Sequence, residues 1–131
     1  SEMCIRDRYK YVRDFSDSLA KQEIEAHLRT GNPVIFVVAA KSRKDGAVAN
    51  KWTSGYHCMT MLGMTDTGKV IVADSVDRST KTFGNNQRIK YASLGELIGY
   101  MFPCTNTTST SIYWGGKASS GGYILINPQN Q

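Results

Sequence analysis

No apolar stretch in this chain approaches the 18 or more residues that a membrane-spanning helix needs; the longest, PVIFVVAA at 33–40, is strand-length. No basic segment followed by an apolar one opens the chain, so no signal peptide is visible. Cysteine is sparse: Cys4, Cys58 and Cys104 are odd in number and form no CxxC pair, which argues against a disulfide framework. With only two histidines, His27 and His57, every zinc spacing rule fails, and no metal or other cofactor is expected. The net charge of +5 admits an anionic partner. Yet the densest basic cluster, Lys41, Arg43 and Lys44, runs straight into Asp45 and Gly46 without an interleaved aromatic. It reads as a solvated loop, and nucleic acid is not expected as a partner. Internal repeats and low-complexity tracts are also lacking.

What is present suits one domain with a real core, since 131 residues with 40% hydrophobic content can bury one. SEMCIRDR, residues 1–8, carries no usable periodicity, and its MCIRDR resembles translated sequencing-adapter read-through. It is expected to be a non-native or disordered leader, leaving 9–131 as a single, partial domain. A helix is predicted over Asp17–Thr30, capped by Ser16 or Ser18. Ala20, Ile24 and Leu28 lie on its apolar face with Leu19 alongside. Gly31 and Pro33 end it, and His27 is expected to cap its C-terminus or lie on its surface. PVIFVVAA is apolar on both faces and reads as a buried central strand.

A polar loop, 41–53, leads into two strands around the turn TDTG, roughly Tyr56–Met64 and Lys69–Asp74. RIKYA is a candidate strand. SLGELIGYMF reads as a helix opened by a Ser93/Glu96 capping box, with Leu94, Leu97, Ile98 and Met101 as its apolar face. SIYWG and GYILINP are predicted as two further strands. Tyr113, Trp114, Gly115 and Gly116 read as the end of a core strand entering a turn rather than as a groove. Hairpin connections dominate, so the expected class is α+β with an antiparallel β-sheet and flanking helices.

The chemistry is concentrated in SGYHCMTMLGMTDTGKVIVADS, 54–75. If Gly63 opposes Gly68 around a four-residue loop, His57 opposes Asp74, Met59 opposes Val72 and Met61 opposes Val70, all on one face. An aspartate opposite a histidine can accept one imidazole N–H, fix the tautomer and stabilise the imidazolium when the other nitrogen takes a proton. A one-residue slip would separate the two. A cross-strand polar contact without catalytic work is the plainer alternative. Cys58, next to His57, points to the other face and reads as a small buried hydrophobe.

A helix ending in Gly-Asn-Pro, then PVIFVV, then GYHCMTMLGMTDTGKVIVADS resembles the C-terminal half of papain-like cysteine peptidases, in particular the bacteriocin-processing, double-glycine-leader type. The matching positions are Gly31, Pro33–Ile35, His57, Gly63–Gly68 and Asp74. The resemblance implies the sheet-bearing lobe of a papain-like fold in a bacterial protein, with His57 and Asp74 as catalytic base and acid. It implies a peptide or cell-wall peptide as substrate. Trp52, in the loop before His57, is expected to wall a substrate groove, with Gly55 and Tyr56 beside it. Two features depart from the family. Ser75 follows the aspartate where the family usually has proline. The family's nucleophilic cysteine, opening a helix after a glutamine, has no counterpart in this sequence. The expectation is therefore a fragment that lacks the N-terminal lobe and is inactive by itself. The alternative is a complete, non-catalytic domain that binds peptide or protein.

Overall fold

The structure is a computed structural model, and it describes residues 8–39, 42–43, 52–53, 56–75, 88–103 and 121–128. Six strands and two helices follow in the order β1 (Tyr9–Val12), α1 (Asp17–Arg29), β2 (Val34–Ala39), β3 (Tyr56–Met64), β4 (Lys69–Ala73), β5 (Ile89–Ser93), α2 (Leu94–Tyr100) and β6 (Tyr123–Ile126). The strands form one sheet in the order β1-β6-β2-β3-β4-β5. Every pairing is antiparallel. This is the expected α+β class. The predicted strand SIYWG, with Tyr113 to Gly116, lies outside the described residues. Strand β1 was not anticipated from the sequence; the Arg8 carbonyl already takes part, accepting from the Asn127 N–H at 2.7 Å.

Local chemistry explains both helices. Ser16 caps α1 through its hydroxyl, which accepts from the Leu19 N–H, and Gly31 ends it at φ 88°, a left-handed turn that glycine adopts without a Cβ clash. Ser93 caps α2 by accepting from the Glu96 N–H at 3.2 Å, one half of the expected capping box. Ala20, Ile24 and Leu28 of α1 and Leu94, Leu97, Ile98 and Met101 at α2 join one core with Val34, Phe36, Val38, Met59, Met61, Val70 and Val72. Both helices therefore cover the same sheet face. Leu19, by contrast, is exposed, because it sits one step round the helix from the buried row.

Two more expectations change. His27 is buried, and its Nε2–H lies between the carbonyls of Ile126 at 2.9 Å and Pro33 at 3.2 Å. It ties the end of α1 to the sheet, which a surface cap would not do. Arg43 is not a solvated loop charge. Its guanidinium donates to the carbonyls of Met101 and Ile98 and to Asp17 Oδ1, and it lies over the rings of Phe15 and Phe102. A cation there meets the partial negative charge at the C-terminus of α2. It also anchors the connection that leads from β2 towards β3.

Candidate functional site

Strands β3 and β4 set the geometry, and their pairing differs from the expected one in an informative way. Gly68 is not a strand partner. It has φ 85° and completes a three-residue loop, 66–68, closed by the Thr65 N–H donating to the Lys69 carbonyl at 2.8 Å. A three-residue hairpin with glycine in the left-handed position is a common, low-strain solution. This turn moves the pairing by three residues, so that Gly63 faces Ile71 in place of Gly68. An odd shift would send His57 and Asp74 to opposite faces. A bulge between Met61 and Gly63 takes one residue back, and Met61 then faces Val72. The net shift is two, which preserves the faces. Continued by one step, that register sets Asp74 opposite Met59 and leaves His57 on the adjacent diagonal, within reach of long side chains.

The two side chains do meet. His57 Nε2 lies 2.6 Å from Asp74 Oδ1. An ionised carboxylate can only accept, so Nε2 carries the proton and Nδ1 is the nitrogen left for chemistry. The Asp74 side chain is fully buried, and that of His57 keeps 16% of its surface. The surroundings are dry: Val38 faces His57 across the β2–β3 pair, and Met59 and Val72 are buried on the same face. Low local polarity strengthens a charge-assisted contact of this kind. The Asp74 N–H donates to the Arg88 carbonyl at 2.8 Å, and Arg88 Nε donates to the Ser75 carbonyl at 3.0 Å. These bonds fasten the end of β4 to the start of β5.

Sequence reasoning missed a third ionisable group. Lys90 Nζ stands 3.7 Å from Asp74 Oδ2, and its side chain is 1% exposed. It arrives there because Lys90 faces Val72 across the β4–β5 pair and so shares the face that carries Asp74. Nothing in the string IKYAS indicates this, since alternation alone would bury the isoleucine and the tyrosine.

The remaining candidates sit elsewhere. Trp52 has no exposed surface and belongs to the main core. An indole already enclosed by core side chains cannot wall an open groove, so that expectation is corrected. Tyr56 is exposed and pairs with Ala39, which puts it on the opposite sheet face from His57. Gly55 lies outside the described residues. Cys58 faces Val37 and points away from His57, as alternation requires, but it is exposed rather than buried. The nearby apolar surface still pushes its thiol above the ordinary value by desolvation. Three clefts, lined by residues of α1, β6 and the β3–β4 turn, include neither His57 nor Asp74 in their walls. Among those residues no cluster of His, Cys, Asp and Glu could hold a metal ion, and no helix is long and apolar enough to cross a membrane.

The described residues thus form an α+β domain in which two helices cover the sheet face that carries the His57–Asp74 contact. The model of the Peptidase_C39 like family matches residues 3–97, and the chain belongs to that family. No curated protein and no solved structure matches it.

Proposed function

We propose that this domain supplies the base and the orienting acid of a cysteine peptidase. The observation that carries the reading is the 2.6 Å contact between His57 Nε2 and the buried Asp74. It holds one ring nitrogen and leaves Nδ1 to face a nucleophile. Family membership supports peptide chemistry.

In this reaction Nδ1 takes the proton of a cysteine thiol, and the thiolate attacks the carbonyl carbon of a peptide bond. The imidazolium, stabilised by Asp74, then gives its proton to the leaving amine as the C–N bond breaks. Water attacks the thioester while His57 accepts its proton, and the thiolate departs. Cys58 cannot be the nucleophile, because it points from the other sheet face. Cys4 and Cys104 lie outside the described residues. The attacking cysteine is assigned to a helix encoded upstream of Tyr9, in a lobe that packs against this one. A helix N-terminus would lower the thiol pKa there. The substrate is a peptide, either a double-glycine leader or a cell-wall crosslink, and the chain without that lobe is inactive.

The test is to read the gene upstream of the Tyr9 codon and to express the longer frame. An in-frame cysteine opening a helix, with peptide hydrolysis that falls about 10²- to 10⁴-fold in both His57→Ala and Asp74→Ala, is the expected result. Hydrolysis that survives either substitution would remove that residue from the mechanism. A frame with no such cysteine would leave a binding domain.

A further inference from the structure

Strand β5 inverts the pattern its sequence suggests. Ile89 and Tyr91 are 37% and 57% exposed, whereas Lys90 between them is 2% exposed. A register one residue away would bury the isoleucine and the tyrosine and release the lysine to water. Lysine is almost never fully buried unless paired, and desolvating it is costly. Conflicts of this kind between local pattern and tertiary position concentrate at functional sites. Here the lysine ends 3.7 Å from Asp74 Oδ2, while Oδ1 accepts from His57. That separation exceeds hydrogen-bond distance, so the attraction is one of charge.

We propose that Lys90 is a positioning residue of the site, whose ammonium holds the buried Asp74 carboxylate ionised so that His57 keeps its acceptor in both of its protonation states. This inference rests on the peptidase reading above. Low-dielectric surroundings resist a carboxylate charge beside a neutral imidazole strongly unless a cation stands near it. Such a pair becomes neutral only by retaining an extra proton. A histidine locked in that state could not accept a proton from water during deacylation. The Lys90 ammonium, 3.7 Å from Oδ2, offsets the carboxylate charge while the imidazole is neutral, and His57 can cycle without Asp74 losing its charge. His57 from β3 and Lys90 from β5 approach the two oxygens of Asp74, and Arg88 nearby donates to the Ser75 carbonyl. The facing positions on β2, β3 and β4, namely Val38, Met59 and Val72, do not titrate.

The test is an NMR titration of the His57 ring in this chain, which needs no nucleophile. Lys90→Met removes the charge while keeping an apolar stem. The expected result is that the His57–Asp74 pair holds its extra proton to a pH at least one unit higher, a tenfold gain in proton affinity. In an Asp74→Asn background the same substitution is expected to shift the titration less than twofold. If Lys90→Met does not fold, Lys90→Gln is titrated in the same way. A shift under twofold in the single variant overturns the proposal. So does an equal shift with and without Asp74, because Lys90 would then act on His57 directly. In the longer, active protein the pH dependence of deacylation should move upward with the titration, and a deacylation profile that stays in place also overturns it. Failure of the peptidase reading shows separately, as hydrolysis that is absent or indifferent to His57→Ala.

Discussion

Replacing Arg43 by alanine should destabilise the domain by about 3 kcal/mol, although the sequence presents that residue as one charge in a polar loop. Arg43 donates to the backbone carbonyls of Ile98, at 2.7 Å, and of Met101, and its own N–H donates to the Gly99 carbonyl at 2.7 Å. Hydrogen bonds from a charged donor contribute roughly 1.5–3 kcal/mol each. Arg43 keeps 23% of its side-chain surface, so the low end applies, and two carbonyl bonds come to about 3 kcal/mol. The ion pair to Asp17 adds little, roughly 0.5 kcal/mol, because Asp17 is more than a third exposed. The variants Arg43→Ala, Arg43→Lys and Asp17→Asn separate these contributions. In a chain of this size about 3 kcal/mol lowers Tm by roughly 10 °C. Arg43→Lys keeps the charge but loses the planar fork that spans several acceptors, so about half of the loss should remain. Asp17→Asn should fall within about 1 kcal/mol of the parent. The assay is urea denaturation followed by circular dichroism at neutral pH. If Asp17→Asn cost as much as Arg43→Ala, the exposed ion pair would be the anchor and the capping argument would fail. An Arg43→Ala variant within about 0.5 kcal/mol of the parent would refute it altogether.

Two further outcomes follow from single groups. The Cys58 thiol is pushed up by the apolar surface around it, so at pH 8 its thiolate fraction is small and alkylation by iodoacetamide should lag well behind that of free cysteine; an equal rate would contradict the desolvation. Tyr123 donates to Glu23 Oε1 at 2.6 Å, and burial, with that bond and the carboxylate charge, raises its phenol far above the ordinary 10.0. The native state then keeps a proton that the unfolded chain has released. This contribution is complete below pH 10 and is lost as the pH rises beyond it. Denaturation at pH 9 and pH 11 should show a steeper loss in the parent than in Tyr123→Phe, and equal losses would remove Tyr123 as the cause.

Much of the framework is legible in the sequence because it is written in local chemistry. Ser16, Gly31 and Ser93 mark helix ends through their own backbone needs. The row Ala20, Ile24 and Leu28 and the run from Val34 to Ala39 show their burial in their spacing. The TDTG turn and the strands beside it bring His57 and Asp74 to one face, and family membership agrees with the resemblance carried by the same residues. Other features depend on partners that a linear reading cannot supply. Trp52 could be a groove wall or a core side chain until the core closed around it. Arg43 looks like any loop arginine until α2 offers its carbonyls. The bulge between Met61 and Gly63 corrects the parity of the hairpin, and a bulge leaves no reliable mark in composition. Lys90 is the clearest case, because its burial reverses the preference of its own strand.

The sequence by itself determined both helices, the strands from Val34 to Ala73 and the two residues that form the couple, since caps and apolar spacing are written in neighbours a few positions apart. It determined neither β1 nor the length of the turn. Only the tertiary structure decided which register joined them, which side chains dried them and which cation stands behind Asp74. Those outcomes depend on strand pairing and burial among residues far apart in the chain, where one residue of slip reverses every side chain.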